Sequence, residues 1–526
     1  SSKYDGDLAY RIVVVRYAML GNRFARYKEV KIATDVSDKT VAYVNEHMDT
    51  LSGISVNEDM IRKYNYSEYF SSIIGYTGPI SESEYTALHK KNKDYTQNDT
   101  VGKAGLEQYY ETYLRGKNGE QKFYIDNVGR ISEIISSTDS VAGDDLYLSI
   151  DADLQKATYL ALQNEIAAIV YSNIKSGEIP INDVYTALIG NSVINTEHFS
   201  KAKASDTEKN VLSVFKSRQK TTLGKIKQEL TSSPEALNTM SDEVLDEFTY
   251  IISMLKDDQV LLKNEIDTSD SVYQKWKNQK ISPKEYLSYC ITQHWIDISQ
   301  LNVDEKYADS TEVYDALCKY ILKNIKTDTE FSKIIYQYMI TRGEISPRQL
   351  CLILFDQGVL DYDDATVNKL KNGSLSPRDF LMKKIYNIEI TPAQLALEPC
   401  IGSCVVTDEK TGEIRAMVSY PGYDSNKLAN GVDSEYFASL QHDKSSPLLN
   451  YATQQKTAPG STFKLVSATA GLAENVITTS DQIRCTGIYN DISNKPKCWI
   501  YPGSHGLDNV FEAIRDSLDQ FMPWAI

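Results

Sequence analysis

The sequence lacks three features that would assign it to common classes at once. It has no run of about 18 or more apolar residues, so no part of it is expected to span a membrane. It also shows no signal peptide. Positive charge is not in excess, because 56 Lys and Arg face 72 Asp and Glu, which gives a formal net charge of −16. This balance argues against a dedicated nucleic-acid binder.

Cysteine is scarce and its number is odd, with seven residues among 526. A scaffold held together by disulfides would show an even and closely spaced set. We therefore expect most of these cysteines to be small buried hydrophobic residues. They are Cys290, Cys318, Cys351, Cys400, Cys404, Cys485 and Cys498.

The chain also lacks an initiating methionine, and its first residues are not a natural start. We expect it to be part of a longer protein. Hydrophobic residues make up 41% and charged residues 24%, which is an ordinary globular balance. A length of 526 residues predicts several domains.

The first domain is expected to cover residues 1–145. Short β-like stretches alternate there with turns, for example at 28–48 and 71–85, and a helix is predicted from Gly105 to Arg115-Gly116. This pattern predicts an α+β domain without a catalytic cluster.

A second domain is expected to begin at residue 146. Leu146, Leu148 and Ile150 alternate with polar residues, which predicts a strand. Asp151 or Asp153 is then expected to cap an amphipathic helix from about residue 154.

A helical insertion is predicted from about 165 to 395, with no visible chemistry. One helix-start signal recurs four times within it: a Ser or Thr cap, then proline at the first helical position, then an acid or glutamine two residues later. The uneven spacing indicates a start signal and not a repeat of fixed period. The caps are Ser282, Ser346, Ser376 and Thr391. After the insertion, two apolar stretches around the turn Lys410–Gly412 predict a β-hairpin.

A serine and a lysine stand three residues apart in TAPGSTFKLVSATAGLAE, residues 457–474. On a helix, that spacing puts Ser461 and Lys464 on one face. Pro459-Gly460 stops the incoming chain, which leaves the serine at a helix N-terminus whose free N–H groups stabilise an oxyanion. Burial and the helix end both favour a neutral lysine, which can take the serine proton. The alternative is that Ser461 is only a helix cap.

This run resembles the active-site helix of the penicillin-binding proteins, serine acyltransferases that cross-link peptidoglycan. The segments at 73–85, 101–116 and 146–155 resemble the pedestal and linker of the class B enzymes, and the segment at 405–426 resembles their first transpeptidase strands. Within that family, the sequence most resembles the penicillin-binding protein 2 subgroup of clostridium-like Gram-positive bacteria.

The resemblance implies a multidomain α+β fold. It consists of an N-terminal pedestal or dimerisation-type domain, 1–145, and a serine β-lactamase-like α/β transpeptidase domain, 146–526, which carries the insertion. It also implies that Ser461 is acylated by a stem peptide ending in D-Ala-D-Ala, that Lys464 is the base, and that β-lactams trap the acyl-enzyme.

Two further family motifs are expected after the nucleophile. In AIRDSLDQF, residues 513–521, Ser517 matches the serine of the second motif, Ser-x-Asn, and Asp519 stands where asparagine is usual. The third motif, Lys-Thr/Ser-Gly, is expected on a later strand. A Lys-Thr-Gly sequence does occur at Lys410–Gly412, but it precedes the nucleophile and is a false match. We therefore expect a C-terminally incomplete domain that acylates slowly by itself.

Possible metal ligands lie between the two motifs. Cys485, Cys498 and His505 fall in a segment rich in turn residues, and their side chains are of the types that bind zinc. Asp519 would supply a fourth ligand. Two alternatives remain: a disulfide between the cysteines, if the domain is extracytoplasmic, or buried free thiols.

The leading functional prediction is a peptidoglycan D,D-transpeptidase acting on stem peptides of lipid-linked or nascent glycan strands. The alternatives are a β-lactam sensor or β-lactamase of the same fold, and a catalytically drifted scaffold of the cell-elongation machinery. The resemblance implies an extracytoplasmic catalytic domain anchored by an N-terminal helix outside this sequence. It also implies partners among the membrane proteins of cell elongation, including a glycosyltransferase.

Overall fold

A computed structural model describes residues 6–518, except 22–29, 31, 34–35, 52, 55, 57–60, 98, 126–130, 233–234, 302, 304–308, 491–492 and 494. The described chain mixes helices and strands and is rich in helix. It divides into two compact units, Ser1–Thr453 and Gln454–Ile526. None of the described helices has both the length and the apolar character needed to cross a bilayer.

The N-terminal region combines short helices with two antiparallel strand pairs, β1 with β2 and β3 with β4. The β-like stretch predicted at 28–48 is in part wrong, because Ser37 caps a helix there. The helix predicted from Gly105 is present but breaks into two short helices. The elements are α1 (Gly6–Gly21), α2 (Asp38–Glu46), α3 (Ser67–Ile74), β1 (Thr77–Pro79), α4 (Glu82–Lys91), β2 (Thr100–Gly102), α5 (Gly105–Tyr109), α6 (Glu111–Leu114), β3 (Glu120–Ile125) and β4 (Ile131–Thr138).

The predicted strand around Leu148 is wrong. The segment is extended, but it forms no ladder with a described strand, and both Leu146 and Leu148 are exposed. The helix after it is confirmed: α7 (Ala152–Ser176) begins two residues earlier than expected, and the Asp151 carboxylate accepts a hydrogen bond from the N–H of Leu154. This capping satisfies one of the four free N–H groups of the first turn.

A helical array follows α7 and encloses the largest hydrophobic core of the chain. All four predicted caps are confirmed, each with its proline in the first turn, and Ser346 and Thr391 form complete capping boxes. The helices are α8 (Ile181–Gly190), α9 (Asp206–Thr231), α10 (Asp242–Asp257), α11 (Ser271–Lys277), α12 (Pro283–Thr292), α13 (Ser310–Ile325), α14 (Thr329–Thr341), α15 (Pro347–Asp356), α16 (Asp364–Asn372), α17 (Pro377–Tyr386) and α18 (Pro392–Leu395).

The predicted hairpin is confirmed as β5 (Gly402–Thr407) paired antiparallel with β6 (Ile414–Tyr420). Asp408 shapes its turn, because its carboxylate accepts hydrogen bonds from the N–H groups of Lys410 and Thr411. The short helices α19 (Ser434–His442) and α20 (Tyr451–Gln454) follow.

The second unit is small and has its own core. It contains α21 (Phe463–Ala473), the antiparallel strands β7 (Ile483–Cys485) and β8 (Gly506–Asp508), and α22 (Val510–Arg515). Its core brings side chains from both helices together with two cysteines. The buried members are Ala468, Ile477, Cys485, Cys498, Val510, Ala513 and Leu518.

Candidate active site

Ser461 lies in the second unit, one turn before α21. The sequence predicts it at the N-terminus of the α-helix, but Gly460–Thr462 forms a 3-10 turn and the α-helix begins at Phe463. Gly460 takes a φ of +58°, which glycine adopts without the steric cost that other residues meet. The Pro-Gly pair therefore provides the sharp entry that leaves the Ser461 side chain exposed to solvent.

Lys464 is 4% exposed, which is unusual for a lysine. Its ammonium nitrogen donates hydrogen bonds to the backbone oxygen of Ser517, at 2.7 Å, and to the hydroxyl of Ser517, at 3.1 Å. A buried amine needs such partners, because desolvation without them is costly. These two bonds hold the Lys464 side chain against Ser517, the serine of the second motif.

Ser517 lies near the end of the second unit in sequence and bonds to residues near its start. It follows α22 in a turn and takes a φ of +49°, a left-handed conformation that residues with a Cβ rarely adopt. Its hydroxyl donates a hydrogen bond of 2.9 Å to the hydroxyl of Ser461. The structure thus brings Ser461, Lys464 and Ser517 together, although Ser517 is 56 residues from Ser461 in the chain.

Two further features singled out in the sequence are Asp519 and Lys410–Gly412. Asp519 lies outside the described residues. The false match Lys410–Gly412 lies in the β5–β6 turn of the first unit.

Cys485, Cys498 and His505 do come together. Their possible ligand atoms all lie within 4.8 Å of one another. Cys498 Sγ is 3.6 Å from His505 Nδ1, and His505 Nε2 is buried without a hydrogen-bond partner among the described residues. The structure describes all seven cysteines as free thiols, so the disulfide alternative is not supported. Two thiols and a buried imidazole nitrogen fit the donor set of a zinc site.

The sequence did not point to Asp508, the last residue of β8. This carboxylate is 5% exposed, and within the described chain its Oδ2 has no hydrogen-bond partner. Burial raises the pKa of Asp508, and the nearby His505 opposes that rise. The Gly-Leu-Asp run gave no signal in the sequence. In the structure Asp508 pairs with Ile483, a partner 25 residues away in the chain.

Two family models match the chain. The penicillin-binding protein dimerisation domain matches residues 10–148, and the penicillin-binding protein transpeptidase domain matches residues 402–524. The second match includes the group formed by Ser461, Lys464 and Ser517. It also includes the cysteine–histidine cluster, which consists of Cys485, Cys498 and His505.

Individual relatives align over part of the chain. The peptidoglycan D,D-transpeptidase MrdA of Salmonella typhimurium is 29% identical over 30% of this chain and 25% of its own length. Penicillin-binding protein 2A of Bacillus subtilis is 35% identical over 26% of this chain and 19% of its own length. The solved structure of penicillin-binding protein PBP2 from Helicobacter pylori aligns at 31% identity over 22% of each chain, with a TM-score of 0.21.

The aligned part of the chain thus spans about a quarter of the length of the curated relatives. The dimerisation and transpeptidase domains nevertheless occur in one polypeptide. This pair of domains is consistent with a class B penicillin-binding protein.

Proposed function

We propose that this protein is a peptidoglycan D,D-transpeptidase that works through an acyl-enzyme on Ser461. The observation that carries the proposal is the hydrogen-bonded series Lys464, Ser517 and Ser461, in which an exposed hydroxyl is linked to a buried amine. The relatives' names, which describe transpeptidases and penicillin-binding proteins, support the same activity.

In the acylation step, Ser461 Oγ attacks the carbonyl carbon of the penultimate D-alanine of a stem peptide. For this step the two hydroxyl groups rotate, so that Ser461 donates to Ser517 and Ser517 donates to Lys464, which acts as the neutral amine. Lys464 then takes up the proton through the Ser517 hydroxyl, which passes its own proton on as it receives that of Ser461. A C–O ester bond forms and the amide C–N bond breaks. The proton held by Lys464 returns through the Ser517 hydroxyl to the nitrogen of the departing D-alanine.

In the second step, an amino group of a neighbouring stem peptide attacks the ester. The same lysine accepts the proton of that amine and passes it through the Ser517 hydroxyl to Ser461 Oγ as the ester C–O bond breaks. An amide cross-link forms and the ester is consumed. In acylation the proton leaves Ser461, and in the second step it returns to Ser461. The same Lys464–Ser517 relay can therefore carry the proton in both steps.

We infer that the cysteine–histidine cluster is a structural zinc site. Cys485, Cys498 and His505 would supply three ligands, with Asp519 or the buried Asp508 as the fourth. A bound zinc ion would cross-link the loop between α21 and α22 and would take no part in the chemistry. His505 Nε2 supports this assignment, because it is buried and has no hydrogen-bond partner in the part of the chain that the structure describes.

The remaining assignments are proposals that rest on the family. We propose a pedestal over 1–145, a transpeptidase domain over 146–526 and an insertion over about 165–395. The catalytic domain would lie outside the cytoplasmic membrane and act with membrane proteins of cell elongation.

The activity is tested with a stem peptide ending in D-Ala-D-Ala and an amine acceptor. The intact protein is expected to release D-alanine and form the cross-linked product, whereas Ser461→Ala forms neither. Thr469→Ala, which removes a hydroxyl from the exposed side of α21, should retain activity. Rapid turnover of penicillin would instead indicate a β-lactamase, and absence of penicillin binding would indicate a scaffold.

A further inference from the structure

Trp499 occupies an unusual position for a large aromatic residue. Its side chain is 66% exposed, so burial of apolar surface does not account for it. Its indole N–H donates a hydrogen bond of 3.0 Å to the backbone oxygen of Asp516. Asp516 directly precedes Ser517, the residue that links Lys464 to Ser461.

The accepting oxygen lies at the end of a short helix, which has few hydrogen bonds of its own. The helix α22 has six residues, less than two turns, and Asp516 is its C-cap. The last carbonyl groups of a helix have no partner within the helix. The Trp499 indole therefore supplies from outside a hydrogen bond that the helix cannot make itself.

The next residue requires that support. Ser517 has a φ of +49°, and such a left-handed conformation is sterically unfavourable in a residue with a Cβ. It persists only where the surrounding contacts determine it. The described contacts include the N–H of Leu518 bonded to Ala513 O and the Trp499 bond to Asp516 O.

Trp499 also borders the cysteine–histidine cluster. It follows Cys498 in the chain, and the centre of its ring is 5.5 Å from that of His505, at an interplanar angle of 57°. The tryptophan thus contacts the cluster with its ring and the Ser517 turn with its N–H group.

We propose that Trp499 is a positioning residue, which holds the turn that presents the Ser517 hydroxyl to Ser461 and Lys464. Its effect on acylation would be indirect, through the Asp516 oxygen and the turn that follows it. The proposal rests on the function proposed above, because Ser517 matters for rate only if it takes part in acylation. It goes further by tying the reactivity of the serine pair to one hydrogen bond from the adjacent loop.

The test uses the intact protein and resolves penicillin acylation into the dissociation constant of the first complex and the first-order acylation constant. Trp499→Phe keeps an aromatic ring and removes the donor. We expect the acylation constant to fall roughly three- to tenfold with an unchanged dissociation constant. The matched control is Tyr501→Phe, which removes a polar group from another exposed ring of the same loop and should behave as wild type. An unchanged acylation constant, or an equal fall in both variants, would overturn the proposal.

A second measurement does not depend on activity. Deuterium uptake in the segment 510–518 should rise in Trp499→Phe and stay at the wild-type level in Tyr501→Phe. If the phenylalanine variant does not fold, a tryptophan analogue with sulfur in place of the indole nitrogen removes the same donor and keeps the ring shape. Equal uptake in the donor-free protein and wild type would refute positioning by Trp499, even if Ser461 itself proved unreactive.

Discussion

The hydroxyl of Ser517 donates a 2.9 Å hydrogen bond to the hydroxyl of Ser461. The same Ser517 oxygen accepts a 3.1 Å hydrogen bond from Lys464 Nζ. One side chain therefore contacts both the proposed nucleophile and the proposed base, which is the arrangement that a proton relay requires.

Removing the relay should slow chemistry without unfolding the protein. In Ser517→Ala we expect penicillin acylation to slow by about 10²–10⁴, the range typical for loss of general acid–base assistance. Stopped-flow labelling of the intact protein measures this, with Thr469→Ala as the control. Acylation by Ser517→Ala at the wild-type rate would show that Lys464 acts on Ser461 without the relay.

Removing the base should have at least as large an effect. Lys464→Met keeps the length of a buried side chain and removes the amine, and we expect acylation to slow by about 10²–10⁴. The melting temperature should not fall, because a buried polar group is replaced by an apolar group of similar size. Lys209→Met, at an exposed position on α9, is the control. Wild-type acylation by Lys464→Met would exclude the lysine as the base.

Metal removal should destabilise the second unit. If Cys485, Cys498 and His505 hold zinc, chelation lowers the melting temperature and Cys485→Ser reproduces the loss. Cys404→Ser, in the β5 strand of the first unit, should retain the metal. Elemental analysis of Asp508→Asn and Asp519→Asn then identifies the fourth ligand, as the variant that loses zinc. Purified protein without stoichiometric zinc would contradict the assignment.

The helical array should be less stable at higher pH because of Glu247. This side chain is 1% exposed, and burial, reinforced by the charge of Glu243, raises its pKa from the ordinary 4.5 to about 8. Between these two values the folded state holds a proton that the unfolded state releases, so stability falls as pH rises.

The contribution of this one group has a slope of at most about 1.4 kcal/mol per pH unit. The charges of Arg218 and Lys225 oppose the raised pKa, and Asp246 adds to it. Glu247→Gln should flatten the decline, whereas Asp315→Asn, at an exposed carboxyl on α13, should leave it unchanged. Urea denaturation from pH 5 to pH 8 measures the slopes. Equal slopes in wild type and Glu247→Gln would refute the shift.

Local signals in the sequence predicted the helix starts well. The caps at Ser346 and Thr391 work through hydrogen bonds between residues three apart, so the information needed lies within one turn. The β5–β6 hairpin is likewise set by the short turn after Asp408. Such features depend little on the rest of the chain.

Features set by distant partners were harder to predict. The alternating residues around Leu148 read as a strand, but a strand needs a neighbour and the described structure provides none. The contact between Ser517 and Ser461 was expected only from the family resemblance. The burial of Asp508 and the bond from Trp499 depend on how the loop between α21 and α22 folds back, which no short pattern specifies.

The central claim is that Ser461 is the residue acylated. Its most direct test is to treat the intact protein with penicillin, digest it and locate the adduct by mass spectrometry. The account predicts one covalent adduct per chain, on the peptide containing Ser461, and none in Ser461→Ala. An adduct on any other residue, or undiminished labelling of Ser461→Ala, would contradict it.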